Sequence, residues 1–276
     1  MTKPVPSLAM RAAGTLVGLA AGRALALGER PDGSLALTRI LAEDLAAGRR
    51  DLRALAQRWV ERHRVEPADI DPETGAALSH LGRHDAPPSH AAGSGSDALV
   101  RVVPVALAAF DAPRTMVSAT YHIAALTHPD PVVTWAAVAV NVALARFLQG
   151  KRDFVPDVVE ALRNNEVPAA LLAAVRRVPL PPRSGSPAAL GGALDDAEAA
   201  LRLAYHEPLL ERGLEATARP GSHAAGRAGL AGALLGARDG VGAIPRIWTS
   251  RVEASILEAH AARLVRVEPA VARNAT

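Results

Sequence analysis

The sequence predicts an all-α fold, a single domain of many helices, and three observations carry that expectation. Alanine and leucine, the strongest helix formers, recur throughout a chain that is 49% hydrophobic yet only 3% aromatic. Apolar residues return at three- and four-residue spacing in stretch after stretch, with no convincing alternating strand pattern between them. At 276 residues the chain is long enough to bury a core without disulfide or metal staples.

Taken in order, the first helical period runs from Met10 to Leu27. It carries Arg11 and Arg23, which interrupt the apolar run that a signal peptide needs, so it reads as a buried amphipathic helix. Further periods follow over Leu35 to Ala47, Leu52 to His63, Ala98 to Phe110, Met116 to Leu126 and Val132 to Leu148. The last of these includes Asn141 and Arg146 and falls below the roughly 20 apolar residues of a membrane span, so it too reads as a core helix. Phe154 to Leu162, Pro168 to Val178, Leu194 to Leu203, Leu209 to Thr217, His223 to Ala237 and Ser250 to Leu264 complete the series. Two stretches read as loops: Arg83 to Gly95, rich in Pro, Ser, Gly and His, and Val178 to Gly192, which holds Pro179, Pro181, Pro182 and a Ser-Gly-Ser run. Helices of the same composition flank the second loop, so residues 1–276 are expected to form one domain with a core of about residues 11–264 and a frayed C-terminal tail.

Charge and composition exclude several function classes. A net charge of +3 is small for this length, and the basic residues are scattered with no interleaved aromatics to stack on bases, so nucleic acid is not an expected partner. The cluster of Arg49, Arg50 and Arg53 reads as a solvated helix face. No membrane association is expected. With no cysteine, thiolate metal sites, disulfides and cysteine nucleophiles are impossible, which fits a cytoplasmic location. There is no Walker loop, zinc-ligand spacing, dinucleotide fingerprint or serine-nucleophile elbow with triad partners.

Six segments carry a resemblance in one consistent order. RAAGTLVGLAAGRALALG begins at Arg11, RPDGSLALTRILAEDL at Arg30, GSGSDALVRVVPVAL at Gly93, SATYHIAALTHPDPVV at Ser118, GGALDDAEAALRLA at Gly191 and GSHAAGRAGLAGALLGARDGVGAIPRIW at Gly221. Together they resemble the signature stretches of the ADP-ribosylglycohydrolase family, over Arg11 to Trp248. The resemblance implies an all-α single-domain fold of that type. It also implies hydrolysis of the glycosidic bond between ADP-ribose and a modified side chain, with two magnesium ions held by carboxylates and threonine hydroxyls.

The departures fall on the implied metal ligands. Where the family's opening helix ends in Gly-Asp-Ala, Gly22 is followed here by Arg23. Where family members read Thr-Asp-Asp-Thr, this chain has Arg30, Pro31, Asp32 and Gly33, and at the closing Asp-Thr-Asp-Thr it has His223, Ala224, Ala225 and Gly226. In the glycine-rich loop, which the resemblance places beside the bound ribose, Gly95, Arg101 and Pro104 match while Ser96, Asp97 and Val100 depart. The Thr-His pair matches as Thr127 and His128.

One surviving acid cannot hold two dications, so no metal site and no cofactor are expected. The first reading is a divergent family member that binds a small ribosyl, nucleotide or ADP-ribosyl ligand without dinuclear hydrolysis. Arg23, Arg30, Ser94, Gly95, Ser96, Arg101 and His128 are its candidate ligand-binding residues, with Arg23 and Arg30, if they point inward, supplying fixed guanidinium charge in place of metal. The second is a metal-independent enzyme using Asp32, Asp97 or His223 as acid and base. The third is a scaffold or partner-binding protein. Each candidate also has a structural reading: Asp32 and Asp97 as helix caps, His223 as a capping and packing residue, and the arginines as side chains reaching to water.

Overall fold

A computed structural model describes residues 4–28, 30, 32–90, 95–181, 192–217 and 222–266, the side chains of residues 222 and 223 excepted. The described residues contain no strand. The helices are α1 (Leu8–Leu27), α2 (Gly33–Ala46), α3 (Leu52–Val65), α4 (Pro72–His84), α5 (Ser96–Arg101), α6 (Val103–Ala108), α7 (Pro113–Ala125) and α8 (Pro131–Leu148). They continue as α9 (Val155–Arg163), α10 (Ala169–Arg177), α11 (Ala193–His206), α12 (Leu210–Thr217), α13 (Ser222–Asp239), α14 (Arg246–Thr249) and α15 (Ala254–Leu264). The all-α single domain expected from the sequence is the fold observed.

The centre is the antiparallel pair of α1 and α13. Glycines four residues apart on α1 meet small residues four apart on α13: an added Cβ would lie 2.2 Å from the Gly236 carbonyl oxygen at Gly14, 2.2 Å from that of Gly232 at Gly18, and 2.1 Å from that of Ala228 at Gly22. The two backbones therefore touch directly, which requires glycine along the i, i+4 ridge of α1 and small residues along that of α13. α13 has no side chain to spare further along the same face. Gly229 leaves space for the stem of Arg23, and Gly226 for Ser96, each of which an added Cβ would meet at 2.7 Å.

α8 forms the second buried axis. Among the described residues it is the one helix long and apolar enough to cross a membrane, and 78% of that stretch is buried inside the protein. Its one polar interior residue of note, Asn141, donates from Nδ2 to the Val102 carbonyl and to Thr120 Oγ1, both at 2.9 Å. The Val102 carbonyl, which also accepts the Val105 amide at 3.0 Å, lies where the helix breaks. The sequence predicts one helix over Ala98 to Phe110, whereas the structure has α5 and α6 meeting at Val102 (φ −90°, ψ 0°). Pro104 is the physical reason: it has no N–H to give to the preceding turn, and its ring crowds the carbonyl four residues back.

Two helices are absent from the sequence reading, the four-residue α14 and the longer α4. α4 packs Thr74, Ala77, Leu78 and Leu81 inward, and Gly82 lies so close to α3 that a Cβ would be 2.9 Å from the Val60 side chain. Two glycines and a His80–His84 pair blur its apolar period. Asp71, whose carboxylate accepts the Thr74 amide at 2.8 Å, followed by Pro72 is nonetheless a helix-start signal.

The glycine contacts reverse an ordinary rule. Alanine replacing glycine inside a helix normally stabilises it by about 1 kcal/mol. Gly18→Ala is expected instead to destabilise by about 2 kcal/mol or more, because a rigid carbonyl stands where the methyl would go. Urea unfolding would detect this, and a midpoint at or above that of the wild type would contradict the packing described.

Candidate functional site

Three sequence-distant segments meet at Arg23. This residue, near the C-terminal end of α1, is only 3% exposed. Its Nε donates to Asp32 Oδ2 at 2.7 Å, and its Nη1 donates to Asp97 Oδ1 at 2.6 Å. Asp32 is also the N-cap of α2, accepting the Leu35 amide through Oδ1 at 3.0 Å. Asp97 stands in the first turn of α5. Each carboxylate thus lies at a helix N-terminus, where backbone N–H groups favour an anion, and one guanidinium neutralises both.

Burial alone would lower the Arg23 pKa, but the charges of Asp97 and Asp32 and the hydrogen bonds to them outweigh it and raise it. Asp97 is the mirror case. Burial would raise its pKa, and the Arg23 charge and hydrogen bond, with Arg101 beyond, hold it below the usual carboxylate range. The carboxyl is therefore ionised at neutral pH.

Arg101 lies one turn further along α5 and is 1% exposed. It donates from Nη1 to Thr74 Oγ1 at 2.9 Å and from Nη2 to Thr127 Oγ1 at 2.7 Å, and its carbon lies 5.9 Å from the centre of the Trp59 ring. Nη2 also approaches His128 Nδ1 at 3.3 Å. Because arginine only donates, that nitrogen must be the acceptor, so the imidazole carries its hydrogen on Nε2. Burial, with the neighbouring Arg101 charge, pushes the His128 pKa down to about 3. His128 is a neutral partner of Arg101 at physiological pH.

A second cluster fixes the other side of α5. Ser96 Oγ donates to Asp196 Oδ2 at 2.6 Å, and Arg227 donates through Nε to Asp196 Oδ1 at 2.8 Å. Burial raises the pKa of Asp196, and these two donors oppose that rise. The network ties α5 to α11 and α13. Gly95 caps α5 with φ +68°, and Val133 would collide with any Cβ placed there, at 2.6 Å. Turn geometry and packing both demand this glycine.

The structure thus brings Arg23, Asp32 and Asp97 into contact and places Ser96, Arg101 and His128 in adjoining networks. Arg30 does not join them. It is exposed and donates from Nε to the Leu27 carbonyl at 3.1 Å, so only one of the two arginines considered as inward charges points inward. Backbone crowding explains the difference: Arg23 has the space left by Gly229, whereas Arg30 stands beyond the end of α1. Ser94 lies outside the described residues, as does the His223 side chain, whose backbone forms the first turn of α13. Sequence reasoning missed Thr74 and Arg227 as partners in these networks. The Thr74 signal was available in the Asp71-Pro72 helix start; Arg227 had none beyond a place on a glycine-rich helix.

A family profile described as ADP-ribosylglycohydrolase matches residues 4–273. The chain belongs to the ADP-ribosylglycohydrolase family. A solved structure named "ADP-ribosylglycohydrolase-related protein complex" superposes on this member of the family with a TM-score of 0.77 at 24% identity, covering 94% of this chain and 98% of that one. That likeness concerns the fold alone. No curated protein matches the sequence.

Set against the two magnesium ions that family resemblance implies, the residues in this ADP-ribosylglycohydrolase-family site do not fit. One oxygen of each carboxylate is committed to Arg23, and its guanidinium would stand beside any dication placed between them. At an effective dielectric of about 20, a unit charge about 4 Å from another is worth roughly 4 kcal/mol, and a dication doubles that repulsion. Among the described residues no group of three or more His, Asp or Glu side chains is arranged to hold a metal.

Two outcomes follow. Arg23→Met should leave two partly buried carboxylates without a counter-charge and lower stability at pH 7 by about 3–5 kcal/mol; a cost within experimental error would mean that the bridge is idle. The depressed His128 pKa sets the second. Unfolded histidine binds a proton below about pH 6.5 while the folded protein refuses it until about pH 3, so this contribution is full above pH 6.5 and is lost as pH falls. Between pH 7 and pH 5 the wild type should lose about 2 kcal/mol more than His128→Gln does in urea titrations. Parallel losses in the two proteins would show that His128 accepts a proton normally.

Proposed function

We propose that this family member has exchanged metal-dependent glycosidic hydrolysis for a fixed internal cation, and binds a ribosyl, nucleotide or ADP-ribosyl ligand at the altered site. The observation that carries the reading is the Arg23 guanidinium bonded to Asp32 and Asp97 at once. The carboxylate side chains remain 15% and 21% exposed, and a carboxylate oxygen accepts from more than one donor, which supports hydrogen bonds from ribose hydroxyls. Its cysteine-free sequence suits a cytoplasmic setting.

Metal-independent acid–base catalysis through Asp32, Asp97 or His223 is the second reading. It needs one group that gives a proton and another that takes one. Asp97, held ionised by Arg23, is suited to accepting only. Under this reading turnover survives EDTA and disappears in Asp32→Asn. The third reading, a non-catalytic scaffold, draws on the same bridge, since side chains of the protein itself occupy the space between the two carboxylates.

Thermal unfolding with ADP-ribose, AMP, ribose 5-phosphate or magnesium separates these readings. A ribosyl compound at about 100 times its Kd should add about 2.7 kcal/mol, and magnesium alone should add nothing. Stabilisation by magnesium alone, or magnesium-dependent release of ADP-ribose from a modified protein, would overturn the proposal; indifference to all of the compounds would favour the scaffold.

A further inference from the structure

Beside Asp32, a cavity of about 220 Å³ whose lining includes neither Arg23 nor Asp97 opens between α1, α2 and the segment that enters α15. Alanine and leucine side chains form its floor, and Arg30, Arg39, Arg251, Asp32 and Glu253 reach its walls. The charges there do not balance. Asp32 is already neutralised by the buried Arg23, and Glu253 pairs with Arg39. Among the described residues the Arg30 side chain has one partner, the Leu27 carbonyl on its Nε, and its terminal nitrogens have none. Among the described residues Arg251 has no carboxylate partner. Two guanidiniums with no carboxylate partner among the described residues therefore border one small opening.

We infer that this cavity is a binding site for a phosphate or pyrophosphate group, held by Arg30 and Arg251 with Arg39 behind them. Guanidinium forks match phosphate oxygens in pairs, and unlike lysine they keep their charge in any setting a protein provides. Size supports the assignment. Cavities for drug-sized ligands begin at about 300 Å³, so this one suits a small anion better than a whole nucleotide. It takes Arg30 out of the Asp32–Asp97 site and gives it a separate role. The inference does not depend on the ribosyl reading, because a bare inorganic anion carries no ribose.

Calorimetric titration of the full chain with inorganic pyrophosphate, and separately with phosphate, tests it. Saturable binding that weakens with added salt is expected, with pyrophosphate the tighter of the two. Arg30→Glu and Arg251→Glu both alter exposed side chains, so folding should persist, and each should weaken binding at least about tenfold. Arg212→Glu, an exposed change on α12 of the same net charge, should leave binding intact. Absence of saturable heat at millimolar pyrophosphate, or equal weakening in Arg212→Glu, would overturn the site. Ribose 5-phosphate stabilisation that survives Arg251→Glu would leave the ribosyl reading standing whatever happens to pyrophosphate.

Discussion

Backbone contact between α1 and α13 is the constraint on which the rest of the molecule depends. Glycines at 14, 18 and 22 face Gly236, Gly232 and Ala228 so closely that no methyl fits on α1. An interface of this kind contributes through close packing over its whole length, and it tolerates very little adjustment because carbonyl groups cannot rotate away. It also governs the site. The same face of α13 continues as Gly229 and Gly226, and these two vacancies admit the stem of Arg23 and the side chain of Ser96. A larger residue at either place would displace one of the two networks that hold α5.

Around that axis, the buried charges of the site are paired with each other. Relative to the family pattern, α1 has gained a cation at Arg23 and the α5 loop has gained an anion at Asp97, and the two are bonded to each other. A buried ion pair is poor evidence for added stability, because desolvation cancels much of the attraction. Its value lies in geometry. Arg23 joins α1 to the starts of α2 and α5, and Asp196 joins α5 to α11 and α13, so the short helix α5 is fixed from two sides by groups with few alternative partners.

The fold is kept while side chains at the site differ from the pattern that the resemblance implies. At 24% identity to a solved structure of related name the helices superpose well, while of the positions that resemblance marks as metal ligands only Asp32 keeps an acid. This is the expected pattern when packing constrains the scaffold and a small number of side chains constrain the reaction. The anion cavity beside Arg251 draws on the same principle, since it is built from surface arginines that the packing of α1 against α15 does not require.

By itself the sequence determined the helical class, most helix positions and the family, because alanine and leucine periodicity and ordered glycine motifs are local signals that survive without a structure. It also marked Arg23, Asp32 and Asp97 as candidates. It could not say that Arg23 turns inward while Arg30, seven residues later, faces water, nor that α4 exists, nor that one predicted helix divides at Val102, where Asn141 bonds the Val102 carbonyl. Those outcomes rest on which side chain finds room and a partner among residues distant in sequence: Gly229 for Arg23, Val60 for α4, Asn141 for the break. Only the packed chain decides such matters, since burial and hydrogen bonding between remote segments have no local signature.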